Sequence, residues 1–289
     1  MKILRADHLG MCFGVRDAIA LTQQHAAQGP VTVLGDLVHN ETVLADLRRR
    51  GIQIRQDPSE VATRHVIITA HGASAQRIES VRALGFQVTE ATCPLVHRAH
   101  QALAGLVQQG FHPVVIGQRG HVEVRGLVED HPGCDVVLTE ADVLNLPFQA
   151  RLGIVSQTTQ PVARVRELVA QIRARFPAAE VRWIDTVCRP TKERQSAAEE
   201  LAARCEVVIV VGGALSNNTR ELAATCRRFC PRVHQIQSAD DLRREWVADA
   251  QVVGLTAGTS TPDETIEAVY NALLNLASYE SRPIWEVAA

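Results

Sequence analysis

Short, almost wholly apolar runs alternate along this chain with longer amphipathic stretches. The runs are rich in valine and isoleucine, and they predict strands buried on both faces of parallel sheets. They are Val31–Leu34, Val66–Thr69, Pro113–Gly117, Val136–Leu138, Leu152–Val155, Val207–Val211 and Val252–Thr256. The stretches between them place apolar residues at helical spacing and predict helices. These are Asp17–His25, Gln76–Leu84, Val96–Gln109, Pro161–Phe176, Lys192–Cys205, Arg220–Arg228 and Asp263–Leu276. Strands that alternate with helices in this way indicate an α/β fold.

One sequence pattern occurs three times. Cys12, Cys93 and Cys188 each follow a β-like run and precede a helix-like stretch. Each is followed, at almost the same spacing, by one polar loop and then by a second polar loop at the end of another apolar run. A spacing that is kept three times predicts three copies of one supersecondary unit. The polar residues of these loops include His39, His71, His121, Thr158, Ser216, Asn218 and Ser260.

The repeat divides the chain into three similar α/β lobes with parallel sheets. A chain of 289 residues would by length alone form about two domains, but the separations of the three cysteines favour three smaller lobes. We expect a first lobe at residues 14–93, a second at 94–185 and a third at 186–278 that is completed by 1–13. Residues 279–289 are expected to form a C-terminal tail.

Composition excludes several classes of protein. The formal net charge of −2 lacks the basic excess of a nucleic-acid binder. The first residues have no signal-peptide pattern, and no apolar run approaches the length of a membrane-spanning helix. We therefore expect a cytoplasmic protein without a membrane partner. Seven cysteines at long spacings do not resemble a secreted disulfide framework, which favours reduced thiols or metal ligands.

The polar loops are expected to bind an anion. In open parallel sheets, ligands bind beyond the carboxyl ends of the strands, and three lobes with this edge inward would enclose one shared pocket. Five of the loop residues are hydrogen-bond donors near predicted helix starts, which favours phosphate: His39, His71, Ser216, Asn218 and Ser260. Neither a Walker loop nor a G-x-G-x-x-G turn is present, so the common kinds of nucleotide binding are not indicated. The alternative is that such residues only form turns and helix caps.

Three cysteines delivered from three separate places suit an iron–sulfur cluster better than zinc. Zinc sites usually draw on close cysteine pairs, whereas a cluster held by three thiolates leaves one iron open to a substrate. The alternative is that Cys12, Cys93 and Cys188 are buried structural residues, although their equivalent positions argue against it. The other four cysteines lack this placement; they are Cys134, Cys205, Cys226 and Cys230.

Glu123 is the carboxylate that lies among the predicted donors, two residues after His121. In a closed pocket, burial would raise its pKa enough for it to carry a proton near neutral pH. Asp36 and Asp185 are the alternatives. Asp185 ranks lower because its position favours hydrogen bonds from the backbone of the following turn.

Nine segments, taken in order, resemble the 4-hydroxy-3-methylbut-2-enyl diphosphate reductases of the methylerythritol phosphate route to isoprenoids. The resemblance extends from Gly10 to about Pro262. The segments are Gly10–Ile19, Leu34–Asn40, Ala70–Gly72, Ala91–His100, Gly120–Gly126, Ser156–Thr159, Asp185–Gln195, Val211–Asn218 and Thr256–Pro262.

The resemblance implies three similar α/β lobes with pseudo-threefold symmetry around a central [4Fe–4S] cluster. The cysteines that match its metal ligands are Cys12, Cys93 and Cys188. The residues that match its substrate-binding set are His39, His71, His121, Thr158, Ser216, Asn217, Asn218 and Ser260. In the catalytic pair, Glu123 supplies the proton and Thr158 orients the allylic hydroxyl. The implied reaction is the two-electron reductive dehydroxylation of (E)-4-hydroxy-3-methylbut-2-enyl diphosphate to isopentenyl and dimethylallyl diphosphate, with reduced ferredoxin or flavodoxin as donor.

The chain departs from the family pattern at a few positions. Many members carry a serine where this chain has Asn217, and larger or polar residues are usual at Gly213 and Ala214. These departures leave open a paralogue that reduces a related allylic diphosphate. Two further alternatives are a non-enzymatic iron–sulfur sensor, against which Glu123 and Thr158 argue, and a zinc-dependent hydrolase.

Overall fold

The computed structural model describes residues 1–280, and side chains through residue 277. The predicted tail lies outside these residues from position 281 onward. The described part contains twelve strands and ten α-helices. The strands are β1 Lys2–Arg5, β2 Val31–Leu34, β3 Gln53–Arg55, β4 His65–Ile68, β5 Gln87–Glu90, β6 His112–Ile116, β7 Asp135–Val137, β8 Arg151–Ser156, β9 Glu180–Trp183, β10 Val207–Val211, β11 Val233–Ile236 and β12 Val252–Ala257. The helices are α1 Phe13–Ala26, α2 Glu41–Arg49, α3 Ala75–Ala83, α4 Pro94–Gln108, α5 Val122–Glu129, α6 Glu140–Asn145, α7 Val162–Arg175, α8 Arg189–Ala202, α9 Asn217–Arg227 and α10 Asp263–Glu280.

The strands form three parallel sheets of the same topology. Their orders are β3-β2-β4-β5, β7-β6-β8-β9 and β11-β10-β12-β1. The third sheet takes its last strand from the start of the chain, with Lys2 in register with Val252. Three similar lobes with parallel sheets, as the sequence predicts, are confirmed.

Both faces of the central strands are covered, which explains why their sequences are continuously apolar. In β10 the side chains alternate between two hydrophobic clusters. Val208 and Val210 pack with Leu222 and Ala223 of α9, whereas Ile209 and its neighbours on the opposite face pack with Ile266 of α10. All five residues of β10 are completely buried. The strand β10 therefore contributes no polar side chain, and the polar residues of its lobe lie outside this strand.

The chain forms two compact units. We call the first the terminal unit; it comprises Met1–Cys12, His39–Val43 and the chain from Arg189 onward. The second, which we call the central unit, comprises Phe13–Val38 and Leu44–Cys188. The terminal unit contains the third sheet, and the central unit contains the first two. Within the described residues, no helix combines the length and apolarity needed to span a bilayer.

Candidate active site

The three predicted ligand cysteines occupy the same position in each lobe. Each follows the edge strand of its sheet, and its backbone N–H donates to a carbonyl just beyond the neighbouring strand. The pairs are Cys12 to Thr259 at 3.0 Å, Cys93 to Ala70 at 3.0 Å and Cys188 to Thr158 at 2.9 Å. These bonds extend the parallel ladder past the strand and place the thiols at the carboxyl ends, where such sheets bind ligands.

The pKa of the thiol is raised in three of the other four cysteines. All seven, each within the described residues, are reduced thiols; Cys12, Cys93 and Cys188 are half-buried, as are Cys134 and Cys205. Burial raises the pKa of Cys134 to about 12, that of Cys205 to about 11 and that of Cys226 to about 12, while Cys230 is buried at 1% exposure. A thiol with a raised pKa stays protonated near neutral pH, which argues against Cys134, Cys205 and Cys226 as metal ligands.

Gly14 in α1 makes room for the thiol of Cys93. This contact was not predicted from the sequence. A Cβ at this position would collide with Cys93 Sγ and come within 3.1 Å of its Cβ. The glycine therefore lets the first turn of α1 approach the cysteine. Gly14 precedes the predicted helix Asp17–His25, so the sequence pattern carried no signal of this close approach. Within α1 a glycine costs about 1 kcal/mol relative to alanine.

Glu123 and Thr158 form a buried, hydrogen-bonded pair in the central unit. The backbone N–H of Thr158 donates to Glu123 Oε1 at 2.6 Å, and its hydroxyl donates to Oε2 at 3.1 Å. Glu123 is 1% exposed and Thr158 is 4% exposed. Burial raises the pKa of Glu123 to about 7, although both hydrogen bonds from Thr158 favour the ionised form and oppose the rise. The predicted upward shift of this pKa is therefore confirmed.

Helix α5 positions Glu123 and His121 at its N-terminal end. His121 caps the helix, and its Nδ1 accepts a hydrogen bond from the Glu123 N–H at 3.2 Å. A neutral ring that accepts at Nδ1 carries its proton on Nε2, so this nitrogen is the donor that His121 offers. The rings of His121 and His71 lie edge to face, with centroids 5.5 Å apart. Two predicted anion-binding residues from different lobes are thus brought together.

The other end of α5 is held against α3 of the first lobe. Ser74 Oγ donates to Glu129 Oε2 at 2.7 Å, and the Ala75 N–H donates to Asp130 Oδ2 at 2.7 Å. A Cβ on Gly126 would lie 3.3 Å from the backbone carbon of Ala73. A carboxylate at the N-terminus of α3 is favourable, since the first N–H groups of a helix lack intrahelical partners. These contacts fix the orientation of the helix that carries the acid.

The alternative carboxylates lie in different surroundings. Asp36 accepts a hydrogen bond from Gln56 Nε2 at 3.1 Å in an exposed contact. Asp185 accepts from the Val187 N–H at 3.2 Å, as its position in the sequence predicts.

The terminal unit carries the remaining predicted donors. Ser216 caps α9, and its Oγ accepts from the Thr219 N–H at 3.3 Å; its own proton remains available to a ligand. Asn218 Oδ1 accepts from the Thr259 N–H at 2.9 Å, which turns the amide NH₂ away from that loop. Ser260 is 5% exposed, and its Oγ has no hydrogen-bond partner among the described residues. A buried hydroxyl in that state is a candidate for binding a ligand.

Two residues that depart from the family pattern, Gly213 and Asn217, lie in closely packed positions. A Cβ on Gly213 would lie 2.5 Å from the carbonyl oxygen of His39, so a larger residue would displace the backbone beside a predicted site residue. Asn217, the first residue of α9, is buried at 5% exposure.

A model of the LytB protein family matches residues 3–274. The chain belongs to the LytB family. A relative from Geobacter sp. (strain M21) named 4-hydroxy-3-methylbut-2-enyl diphosphate reductase is 36% identical over 276 residues, which cover 94% of this chain and 97% of the relative. A protein of the same name from Aquifex aeolicus (strain VF5) is 35% identical over 93% of this chain and 94% of its own length.

A solved LytB structure supports the fold assignment. It is the structure of the E-1-hydroxy-2-methyl-but-2-enyl-4-diphosphate reductase from Plasmodium falciparum, which is 28% identical to this chain with a TM-score of 0.90. The match covers 95% of this chain and 88% of that chain. The LytB assignment confirms the predicted family, while the roles of the individual site residues remain predictions.

Proposed function

We propose that this LytB protein is a 4-hydroxy-3-methylbut-2-enyl diphosphate reductase. It would convert (E)-4-hydroxy-3-methylbut-2-enyl diphosphate, with two electrons and two protons, into water and isopentenyl or dimethylallyl diphosphate. Relatives of that name support the reaction. The observation that carries the proposal is the buried pair of Glu123 and Thr158, because removing a hydroxyl as water requires a positioned proton source.

The residues proposed to hold a [4Fe–4S] cluster are Cys12, Cys93 and Cys188. Thiolate sulfur is the usual ligand of such clusters, and these three thiols stand at the carboxyl ends of their sheets and are only half-buried. Gly14 lets the first turn of α1 lie directly against Cys93 Sγ, so this thiol is held in place by packing. When bound by three thiolates, a cluster supplies electrons and one iron with an open coordination position.

Glu123 would deliver the proton through Thr158. With a pKa of about 7, a large share of the carboxyl groups carry a proton near neutral pH. A proton on Oε2 can pass to Thr158 Oγ1, which lies 3.1 Å away, while the hydroxyl proton of Thr158 passes to the leaving oxygen. The N–H of Thr158 holds the other carboxylate oxygen at 2.6 Å and keeps the pair aligned. The second proton of the reaction is taken up by a carbon atom of the substrate's allyl group, which gives one of the two products.

The diphosphate would be bound by uncharged or cationic donors. The proposed set is His39, His71, His121, Thr158, Ser216, Asn217, Asn218 and Ser260. His121 contributes Nε2, since its Nδ1 is occupied by the Glu123 N–H. Ser260 contributes a hydroxyl that no described residue engages. Phosphate oxygens accept many hydrogen bonds at once, which suits several convergent donors.

The test is an anaerobic assay of reconstituted protein. The protein would be loaded with iron and sulfide, its iron and labile sulfide measured, and turnover followed with the substrate and reduced methyl viologen. We expect two viologens to be oxidised for each molecule of product, and both products to form. Reduced ferredoxin and flavodoxin, the proposed physiological donors, would then be compared as replacements for the dye.

Other outcomes would identify the alternatives. A cluster-bearing protein that binds the substrate without consuming it would indicate a sensor. A colourless zinc protein that hydrolyses the diphosphate would indicate a hydrolase. Faster turnover of another allylic diphosphate would indicate a paralogue.

A further inference from the structure

Thr186 is a buried threonine between β9 and Cys188, and its hydroxyl makes three hydrogen bonds with Ser156 at the end of β8. The hydroxyl donates to the Ser156 carbonyl at 2.6 Å and accepts from the Ser156 N–H at 2.8 Å. The Ser156 hydroxyl lies 3.2 Å from the same oxygen. It is the donor in that contact, because the single proton of Thr186 is already given to the carbonyl. Thr186 is 5% exposed and Ser156 is completely buried.

The other two lobes make the corresponding link through the backbone. In the first lobe the residue two positions before the cysteine, Ala91, donates its N–H to the Ile68 carbonyl at 3.0 Å. In the third lobe the corresponding residue, Gly10, donates its N–H to the Ala257 carbonyl at 3.2 Å. In the second lobe the carbonyl at this step belongs to Ser156, and it accepts from a side-chain hydroxyl. A threonine side chain therefore takes the place of a backbone donor in this parallel ladder.

The link stands directly behind two residues of the proposed site. Two positions after Thr186, the N–H of Cys188 donates to the Thr158 carbonyl at 2.9 Å, and Thr158 itself lies two positions after Ser156. Thr158 in turn holds both carboxylate oxygens of Glu123. The hydroxyl thus joins the segment that carries a thiol to the strand end that carries the acid pair. Without it, two buried backbone groups of the strand end would lose their partners, which favours a shift of that end.

We propose that Thr186 is a positioning residue that fixes the spacing between the Cys188 thiol and the pair formed by Glu123 and Thr158. In the proposed reaction, the proton source and the cluster must meet at the same oxygen of the substrate, so the thiol ligands and the acid must be held in one geometry. The inference rests on the proposed function, because it requires that Cys188 bind a cluster. Groups behind the ligands of a metal site commonly affect both metal affinity and activity.

The test compares four proteins after identical anaerobic reconstitution: wild type, Thr186→Ser, Thr186→Val and Ser156→Ala. Serine keeps the hydroxyl of Thr186, whereas valine keeps its size and loses the hydroxyl. Ser156→Ala is the matched control, because it removes the contact at 3.2 Å and leaves both backbone contacts in place. The measurements are the rate of cluster loss to an iron chelator, kcat and KM per bound cluster, and the melting temperature of the cluster-free protein.

The hydroxyl of Thr186 should account for the differences among these proteins. Thr186→Val should lose its cluster ~10–100-fold faster than wild type, and its kcat per bound cluster should fall by a similar factor. Its KM should change little, since most of the proposed diphosphate donors lie on other loops. Thr186→Ser should restore both properties to near the wild-type values. Ser156→Ala should have a lower melting temperature but retain its cluster and kcat.

A second variant, Thr186→Ala, covers the case in which the valine variant does not fold. The smaller side chain leaves space for a water to reach the backbone of Ser156, while the direct link to the Cys188 segment is still broken. We therefore expect the same faster cluster loss and lower kcat as for valine.

Three results would count against the inference or against its basis. If the valine and alanine variants lowered only the melting temperature, as Ser156→Ala should, Thr186 would be a structural residue alone. If Thr186→Ser lost its cluster as fast as Thr186→Val, the hydroxyl would not be the responsible group. If wild type bound no cluster under the same protocol, the proposed function itself would fail, so a wild-type cluster separates the two kinds of failure.

Discussion

A single residue, Thr158, binds both carboxylate oxygens of Glu123, one through its backbone and the other through its hydroxyl. The backbone contact persists whichever way a proton moves, because an N–H can only donate. The hydroxyl contact can reverse, since a hydroxyl both donates and accepts. Thr158 can therefore anchor the acid with one group and pass its proton with the other.

Replacing Glu123 by Gln should separate proton delivery from binding. Glutamine keeps the size of the side chain and one acceptor oxygen but has no transferable proton. We expect kcat to fall ~10²–10⁴-fold, or ~3–5 kcal/mol, because that is the usual worth of positioned acid catalysis. Cluster content should stay near wild type. The kcat/KM of wild type should decline above pH ~7 as Glu123 loses its proton, and this limb should be missing from the variant.

Glu129→Gln is the matched control for this substitution. Glu129 lies at the opposite end of the same helix, and an amide oxygen can still accept from Ser74. Its kcat should stay near wild type. Near-normal turnover of the Glu123 variant with a full cluster would move the proton source to Asp36, a bound water or the diphosphate of the substrate itself.

The raised pKa of Glu123 also predicts a pH dependence of folding. The carboxyl has a pKa near 4.5 when exposed and about 7 in the folded chain, so between these values the folded state holds a proton that the unfolded state has released. The free energy of unfolding should therefore fall as pH rises from ~4.5 to ~7, by about 3 kcal/mol from this group. Urea denaturation of cluster-free protein at pH 5 and pH 8 should show a smaller fall for Glu123→Gln than for wild type. Equal falls in the two proteins would contradict the assignment.

Gly14→Ala should disturb the iron site without unfolding the helix. Alanine is the better helix former by ~1 kcal/mol, but its Cβ would collide with Cys93 Sγ. We expect iron content to drop while far-ultraviolet circular dichroism is retained. Gly105→Ala on α4 is the control, because an added Cβ there meets no atom within 4 Å; it should keep full iron content. Similar iron contents in the two variants would argue against a ligand at Cys93.

Cysteine substitutions should sort the seven thiols into two groups. Cys93→Ser should remove most of the iron, since serine is a far poorer ligand for iron in a sulfur cluster. Cys134→Ser should retain it, because the Cys134 thiol is held protonated by burial. Iron analysis of both proteins after identical reconstitution is the measurement, and equal contents would remove Cys93 from the ligand set.

Ser260→Ala should weaken substrate binding without weakening the fold. The Ser260 hydroxyl has no hydrogen-bond partner among the described residues, so its removal leaves no protein group unsatisfied. A hydrogen bond to a charged ligand is worth ~1.5–3 kcal/mol, so KM should rise ~10–100-fold at an unchanged melting temperature. Ser156→Ala is the counterpart, because that buried hydroxyl lies 3.2 Å from Thr186 Oγ1; it should lower stability and leave KM unchanged. An unaltered KM for Ser260→Ala would place the diphosphate elsewhere.

Much of the fold follows from patterns that a sequence displays directly. The central strand β10 coincides with its prediction, since five consecutive apolar residues can only be buried on both sides. The edge strands β3 and β11 were not predicted, because one exposed side lets polar residues such as Gln53 and His234 stand within them. Helix α5 was also missed, since only eight residues support it. Its stability depends on its cap, on its contacts with α3 and on the burial of Val124 and Leu127 in the core.

The site residues likewise fall into two groups, those that sequence patterns predict and those whose roles depend on tertiary packing. Repetition and family resemblance lead to the cysteines and to Glu123, whose raised pKa follows from burial. The role of Gly14 was not predictable, because it depends on a close approach between α1 and Cys93, which are distant in the sequence. Such contacts exist only once the packing of helices on sheets is known.

The pairing of β1 with β12 has a consequence for how the protein is made. Lys2 emerges from the ribosome long before its register partner Val252 is added to the chain. The backbone partner of Cys12, Thr259, is added later still. The other two lobes can fold as they are synthesised, as domains generally do. Until Thr259 is added, the backbone N–H of Cys12 lacks its hydrogen-bond partner. Iron and sulfide delivered before Thr259 is synthesised would meet two ordered thiols and one on an unpaired strand, so the order of the chain postpones maturation of the proposed metal site.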